Sequence, residues 1–325
     1  VTLSAANTYS GTTTINDGAT LKYSGSGSLS TSTAVTVNTG GTYNLNNSSE
    51  NIASIAGGGD ILLGSGTLTN GGSGTTAFSG DISGTGSLVK SGTGSLSLSG
   101  NNSYGGTTTL SAGTLDAGSD SAFSSGQLNL NGGTLTASGG GTRTLANTVL
   151  VGANVAIGGA NDLTFSGAFG EAGSRTLSIT NTGTTTFSNT FTLAASNQTA
   201  TMTINVAGAS GGAIISGVVQ NGNGSGPDSL TKSGAGNLIL SGANTYTGPT
   251  TVTGGTLALS GAGVISTGNL NLNGGVLATQ GTFSRALGAN GNQFQFGSSG
   301  GGFAAYGCSL SVSLSVVRTW GSTRR

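Results

Sequence analysis

Histidine is absent from this chain, cysteine occurs once, proline twice, and charged side chains make up only 6% of its 325 residues. Without histidine, neither a Ser-His-Asp nor a Cys-His mechanism can be assembled, and a histidine-bearing metal site is excluded. The single thiol, Cys308, rules out an internal disulfide. So little proline excludes collagen and proline-rich linkers. Nine acids balance nine bases, which removes both the excess charge that holds disordered chains open and the basic patch that grips phosphate backbones. Nucleic acid is therefore not an expected partner. No apolar run approaches the ~18 residues of a membrane helix, and no basic-then-apolar leader opens the chain.

What the chain has in quantity is glycine, 64 residues of it, set between short runs that alternate aliphatic residues with Ser, Thr or Asn. SLSLSG at 95–100, QLNLN at 127–131, NLNLN at 269–273 and SLSVSLSVV at 309–317 have the two-residue period of strands with one buried face. Leu, Val and Ile are expected inside, with Ser, Thr and Asn in water. Glycine doublets between the runs permit the positive φ of turns. Helix signals are nearly absent.

Longer patterns repeat. LVKSGTGSLSLSGNNSYGGTTTLSAGTLDA at 88–117 matches LTKSGAGNLILSGANTYTGPTTVTGGTLAL at 230–259, and VTLSAANTYSGTTTINDGATLK at 1–22 is a copy without its front. Lys90 in one complete copy answers to Lys232 in the other. A finer period lies inside: Leu115 to Leu135 and Leu257 to Leu277 span equal intervals, and Gly59-Asp60-Ile61 recurs as Gly80-Asp81-Ile82 at nearly the same spacing. Short strands at such a period predict an all-β solenoid, a single-stranded parallel β-helix of about 20 residues per coil. At ~4.8 Å per layer, about sixteen coils would build a rod ~75 Å long. Within NTYTG, Asn244 is expected to bond backbone in a bend, Gly248 to take the turn and Tyr246 to cover the seam between coils. Thr250 to Thr253 should start a strand that Gly254 and Gly255 end.

The pattern Lys-x-Gly-x-Gly-x-Leu-x-Leu-x-Gly-x-Asn-x-Tyr-x-Gly-x-Thr, closed by Gly-Thr-Leu, resembles the passenger-associated transport repeat, or autotransporter-associated β-strand repeat. Residues 232–257 carry nearly all of it and 90–115 most of it. The resemblance implies a right-handed β-helix forming the exported passenger of a type V secretion protein. It further implies an outer-membrane β-barrel translocator, not in this chain, as partner and the cell surface or extracellular space as location. Opening on Val1 in mid-pattern, the chain reads as a segment of a longer precursor. Residues 1–317 are expected to form the solenoid, and RTWGSTRR at 318–325 a tail foreign to it.

Chemistry finds few candidates. GxSxG occurs at Gly208–Gly212 and Gly297–Gly301, as a chain so rich in Gly and Ser would show by chance. Lys22, Lys90 and Lys232 do not follow a glycine, so no phosphate loop is present. GGGDILL at 57–63 lacks the tandem Asp of calcium-binding nonapeptides. Asp60 and Asp81, one coil apart, could approach the ~5 Å carboxyl separation of a retaining glycosidase, although an Asp after Gly more commonly bonds its own turn. Thr triplets at 12–14, 107–109 and 184–186 recur too rarely for an ice-ordering face and read as solvent-side strand residues. Tyr9, Tyr104 and Tyr246 occupy equivalent corners, and Tyr43, Phe78, Phe123, Phe165, Phe187 and Phe191 read as isolated fillers. No catalytic, cofactor or metal residue is assigned. The expected function is a non-enzymatic stalk or scaffold contributing to adhesion to a host or neighbouring cell, or to aggregation. The alternatives are a polysaccharide-cleaving enzyme using Asp60 and Asp81, and a subunit that stacks end to end into filaments.

Overall fold

Alternating apolar and hydroxyl residues can bury one face only if another layer of the same kind lies directly above, and the chain folds to supply that layer. A computed structural model describes residues 1–194, 199–224, 226–265 and 267–316; the predicted tail at 318–325 lies outside these residues. Among the described residues there is no helix, and the strands pair in parallel, each with the strand one coil earlier and one coil later. The chain is a β-solenoid of about 14 turns.

Each coil visits three faces in a fixed order. The first face begins with Thr2–Leu3 and Thr20–Tyr23. The second contains the ladder from Glu50–Ile52 to Val219–Gln220. The third runs from Thr13–Ile15 to Gln293–Phe296, fourteen strands joined by thirteen consecutive pairings. Thirteen spacings of ~4.8 Å make a rod of ~62 Å, shorter than the sixteen-coil expectation. The difference arises because the coil is not uniform: Phe187 pairs with Ile215 and Phe191 with Val219, a longer path than the one from Leu115 to Leu135.

Leu115 lies beside Leu135, and Leu257 beside Leu277, all four fully buried. The first pair belongs to a column of Leu96, Leu115, Leu135, Ile157, Ile179 and Val206. Each such side chain contributes roughly 1.5–3 kcal/mol of transfer free energy. Phe165, Phe187 and Phe191 are not isolated fillers. Phe165 stacks on Phe187 at 5.2 Å and Phe169 on Phe191 at 5.1 Å, while Phe187 meets Phe169 and Phe191 edge to face. In-register pairing puts identical side chains one layer apart, where offset stacking is favourable.

Glycine is needed where layers crowd. A Cβ on Gly86, Gly106 or Gly126 would lie 1.8, 2.3 or 1.8 Å from the carbonyl oxygen of the glycine one coil below. No other residue fits such a stack. Gly248 belongs to this class rather than to the expected turn class, because its Cβ would meet the Asp228 carbonyl at 2.2 Å. The strand Thr250–Val252 does end at a glycine turn, with Gly255 at φ +58°.

Candidate functional site

The three corners of the repeat are the most elaborated positions in the molecule, and each is built from the same local contacts. Tyr104 shares a hydrogen bond with the Thr108 hydroxyl at 2.5 Å and Tyr246 one with Thr250 at 2.6 Å. Tyr9 and Thr13 repeat the contact at 2.8 Å. Tyr104 and Tyr246 are completely buried, so they fill the core instead of covering a seam. Burial pushes the phenol of Tyr246 up to about 12 and that of Tyr104 still higher. Thr108 and Thr250 are buried with them, as is Thr185, whose hydroxyl donates to Asn181 Oδ1 at 2.9 Å. The inward Thr of the second and third triplets is thus a core residue, contrary to the solvent-side expectation, while Thr13 of the first is half-buried.

The corner asparagines bond backbone, as expected, but across coils. Asn244 Oδ1 accepts the Val219 N–H below at 2.9 Å while its Nδ2 donates to the Val264 carbonyl above at 3.0 Å. Asn102 does the same with Ile82 N–H at 2.9 Å and the Ala122 carbonyl at 2.7 Å. One side chain thereby ties three successive layers. Among the described residues Asn7 reaches the next coil only, its Nδ2 donating to the Ser28 carbonyl at 3.0 Å.

The repeat lysines, Lys90 and Lys232, are both fully buried, a placement the sequence analysis does not assign. Lys232 Nζ donates to the carbonyls of Ser233, Gly234 and, one coil above, Gly254, at 2.8, 2.9 and 3.1 Å. Lys90 donates to the Gly92 carbonyl. Burial pushes the Lys232 ammonium down to about 8 and lowers that of Lys90. The signal was present: in SLVK and SLTK the lysine is two residues from an inward Leu, so strand parity points it inward.

Two buried carboxyls also escaped the sequence reading. Glu171 is fully buried with neither oxygen hydrogen-bonded, and burial, opposed by Arg175, raises it to about 9. Glu50 accepts the Leu29 N–H at 3.2 Å and is also raised by burial.

Asp60 and Asp81 do stand one coil apart, since Ile61 pairs with Ile82, and both are exposed. Asp81 Oδ1 accepts the Asn101 N–H of the next coil at 2.7 Å, so it braces the layer above rather than its own turn. Ser210, at the centre of one GxSxG, donates to the Ala207 carbonyl at 2.6 Å within a turn. Among the described residues, no group of three or more Cys, Asp or Glu could hold a metal ion, and no helix is long and apolar enough to cross a membrane. Cys308 is exposed and free.

The two complete copies do not share a face, whereas Thr13–Ile15 of the first copy and Thr250–Val252 of the third stand in the same third-face ladder. From Leu88 the second-face register runs through Thr108, Leu128, Val149, Phe169, Phe191 and Val219, which is six coils. Leu230 then falls one face further on, in the third-face ladder. The offset between the complete copies is thus six coils plus one face. Asn102 and Tyr104 lie over the first-face strand Ile82–Ser83, whereas Asn244 and Tyr246 lie over the second-face strand Val219–Gln220.

Comparison with known proteins gives one family. The model for the passenger-associated-transport-repeat matches residues 1–22, 88–117 and 230–259. No curated protein and no solved structure matches the chain. Repeat and solenoid together fit an autotransporter passenger scaffold, and such repeats imply export and a translocator partner. The chain is a β-solenoid that carries three passenger-associated transport repeats.

Proposed function

We propose that this segment is a non-catalytic scaffold of an exported passenger, in which the repeats hold successive coils in register as the chain folds outside the outer membrane. The observation that carries this reading is where the repeat spends its polar residues. Asn102, Asn244 and Lys232 point inward and bond neighbouring coils, Lys90 points inward to the turn that follows it, and the corners of the two complete copies lie on different faces. A recognition motif would present its side chains outward in one row. Each coil contacts only its neighbours, so coils can add one after another during vectorial export. The nearly uncharged outer flanks suit adhesion or aggregation through many weak polar contacts.

The test is surface display of the segment fused to an autotransporter β-barrel. Asn102→Ala combined with Asn244→Ala is expected to lower the protease-resistant displayed fraction several-fold. Undiminished, resistant display of the double variant would overturn the proposed role.

A further inference from the structure

We infer that a notch in the outer surface of the second face binds one neutral hexopyranose residue, the terminal sugar of a glycan. The inference rests on the lining of that notch and holds whether or not the segment is an exported scaffold. On the second face one outward column runs through Asn129, Leu150, Gly170, Thr192 and Gln220, each the register partner of the next. Phe169 and Glu171 turn inward, so strand parity sends Ala168 and Gly170 outward. Gly170 brings no side chain to the column and Ala168 only a methyl group. A cavity of about 210 Å³ opens where they stand. Leu150 on one side and Thr192 on the other are two layers apart, about 9.6 Å at ~4.8 Å per layer, which admits one ring in van der Waals contact with both.

The polar groups around this cavity are uncommitted. The side chains of Gln127, Thr148 and Asn223, which line it, make no hydrogen bond among the described residues. Gln220 spends only its Nε2, on Thr192 Oγ1 at 3.5 Å. Amides and hydroxyls offer donors and acceptors together, as sugar hydroxyls require. No lining residue is charged, so an ionic ligand would be desolvated without a counter-charge. Leu150 and Ala168 supply an apolar surface for the C–H face of a pyranose. The volume is below the ~300–1,000 Å³ of pockets for larger ligands, which limits the fit to a single ring. The larger cavity of about 740 Å³ beside Asp120 and Arg143 differs, because its polar groups already hold the coils together. There Asp120 Oδ1 accepts the Thr144 N–H, Arg143 Nε donates to the Ser138 carbonyl, and the hydroxyls of Ser119, Ser121 and Ser124 donate to the coil before.

The probes are the methyl glycosides of glucose, galactose and mannose, which carry the linkage of a terminal sugar. Each is titrated into the full chain while the side-chain amide resonances of Gln127, Gln220 and Asn223 are followed by NMR. At least one glycoside is expected to bind with millimolar affinity, as so few contacts allow, and to move the three amides together. Ala168→Phe fills the notch from an exposed position and is expected to weaken that glycoside at least tenfold with an unchanged melting temperature. Gln220→Ala should weaken it several-fold. Methyl glucuronide, a similar ring bearing a charge, should bind at least tenfold more weakly than the best of the three. Absence of binding by all three glycosides, equal binding to Ala168→Phe, or tightest binding by the glucuronide would overturn the inference. Such a failure leaves the display test of the scaffold role untouched, so the two readings fall separately.

Discussion

Around Tyr104 and Tyr246 the layers are short, as in Ser95 to Thr114 and Leu230 to Thr250, whereas the layer from Phe165 to Phe187 is longer and the one from Phe187 to Ile215 longer still. The short coils are held by directed polar contacts: an asparagine bonded above and below, a buried lysine on turn carbonyls, glycine against glycine. The long coils are held by rings, with Phe165, Phe169, Phe187 and Phe191 each within 5.3 Å of the next. Hydrogen bonds fix register closely because they fail when misaligned. Ring stacking depends on buried area and tolerates a longer path between strands. The repeats thus sit where register is set, and the phenylalanines where coil length varies.

Removing a ring should do the most damage. Phe187 touches Phe165, Phe169 and Phe191 at 4.8–5.2 Å, and Phe187→Ala is expected to cost about 3–5 kcal/mol from lost burial and the cavity left behind. Amide exchange in Thr185–Phe187 and its neighbours should accelerate accordingly, while coils near Leu96 remain protected, because solenoid stability is local. Equal acceleration throughout would mean that the two regions are not separable.

Asn244→Ala should come next, at about 1–3 kcal/mol, because it strands the buried Val219 N–H and removes the bond to the carbonyl of the exposed Val264. The same change at Asn7, which among the described residues is exposed at its bond to Ala5 and reaches only the next coil through Ser28, should cost under about 1 kcal/mol. Urea midpoints of the two variants give the comparison directly. Similar losses would show that spanning three layers adds nothing.

Glu171 tests the long coils through pH. Its carboxyl is raised from 4.5 to about 9, chiefly by burial. The folded state therefore holds a proton that the unfolded chain gives up, and stability falls as pH rises through the window from 4.5 to about 9. Glu171→Gln should remove that fall and raise the melting temperature at pH 7. A variant whose melting curve follows the parent across this window would exclude Glu171 as the source.

Much of this was legible in the chain. Leu115 with Leu135 and Leu257 with Leu277 were paired by spacing alone, since a two-residue pleat and a constant coil leave little choice of register. Coil number was not, because the long layers between Phe187 and Ile215 carry no internal period. The inward roles of Thr108, Asn102 and Lys90 were hidden by residue type: polarity suggested water, while parity with neighbouring leucines placed them inside. Glu171 follows the same rule, two residues after Phe169 in a strand buried at every position. In a solenoid this thin, parity is the more reliable guide, since turn carbonyls and strand ends bring backbone partners within reach of the core.

Lys232 gives the smallest expected effect and the sharpest contrast, because its slope runs the other way. Burial lowers the ammonium from 10.5 to about 8. Between those values the unfolded chain binds the proton and the folded chain releases it, so stability rises with pH across the window and is lowest below it, where the fold must bury the charge. The three carbonyls around Nζ offset part of that cost. Lys232 therefore adds a climb in melting temperature between pH 8 and 10.5 that Lys232→Met should lack, so the difference between parent and variant should grow with pH across this window. Glu171→Gln should leave this climb intact, since the two groups sit in different coils. A difference between parent and Lys232→Met that stays constant from pH 8 to 10.5 would mean that this lysine is held as its ammonium throughout, and that the turn carbonyls, not burial, set its charge.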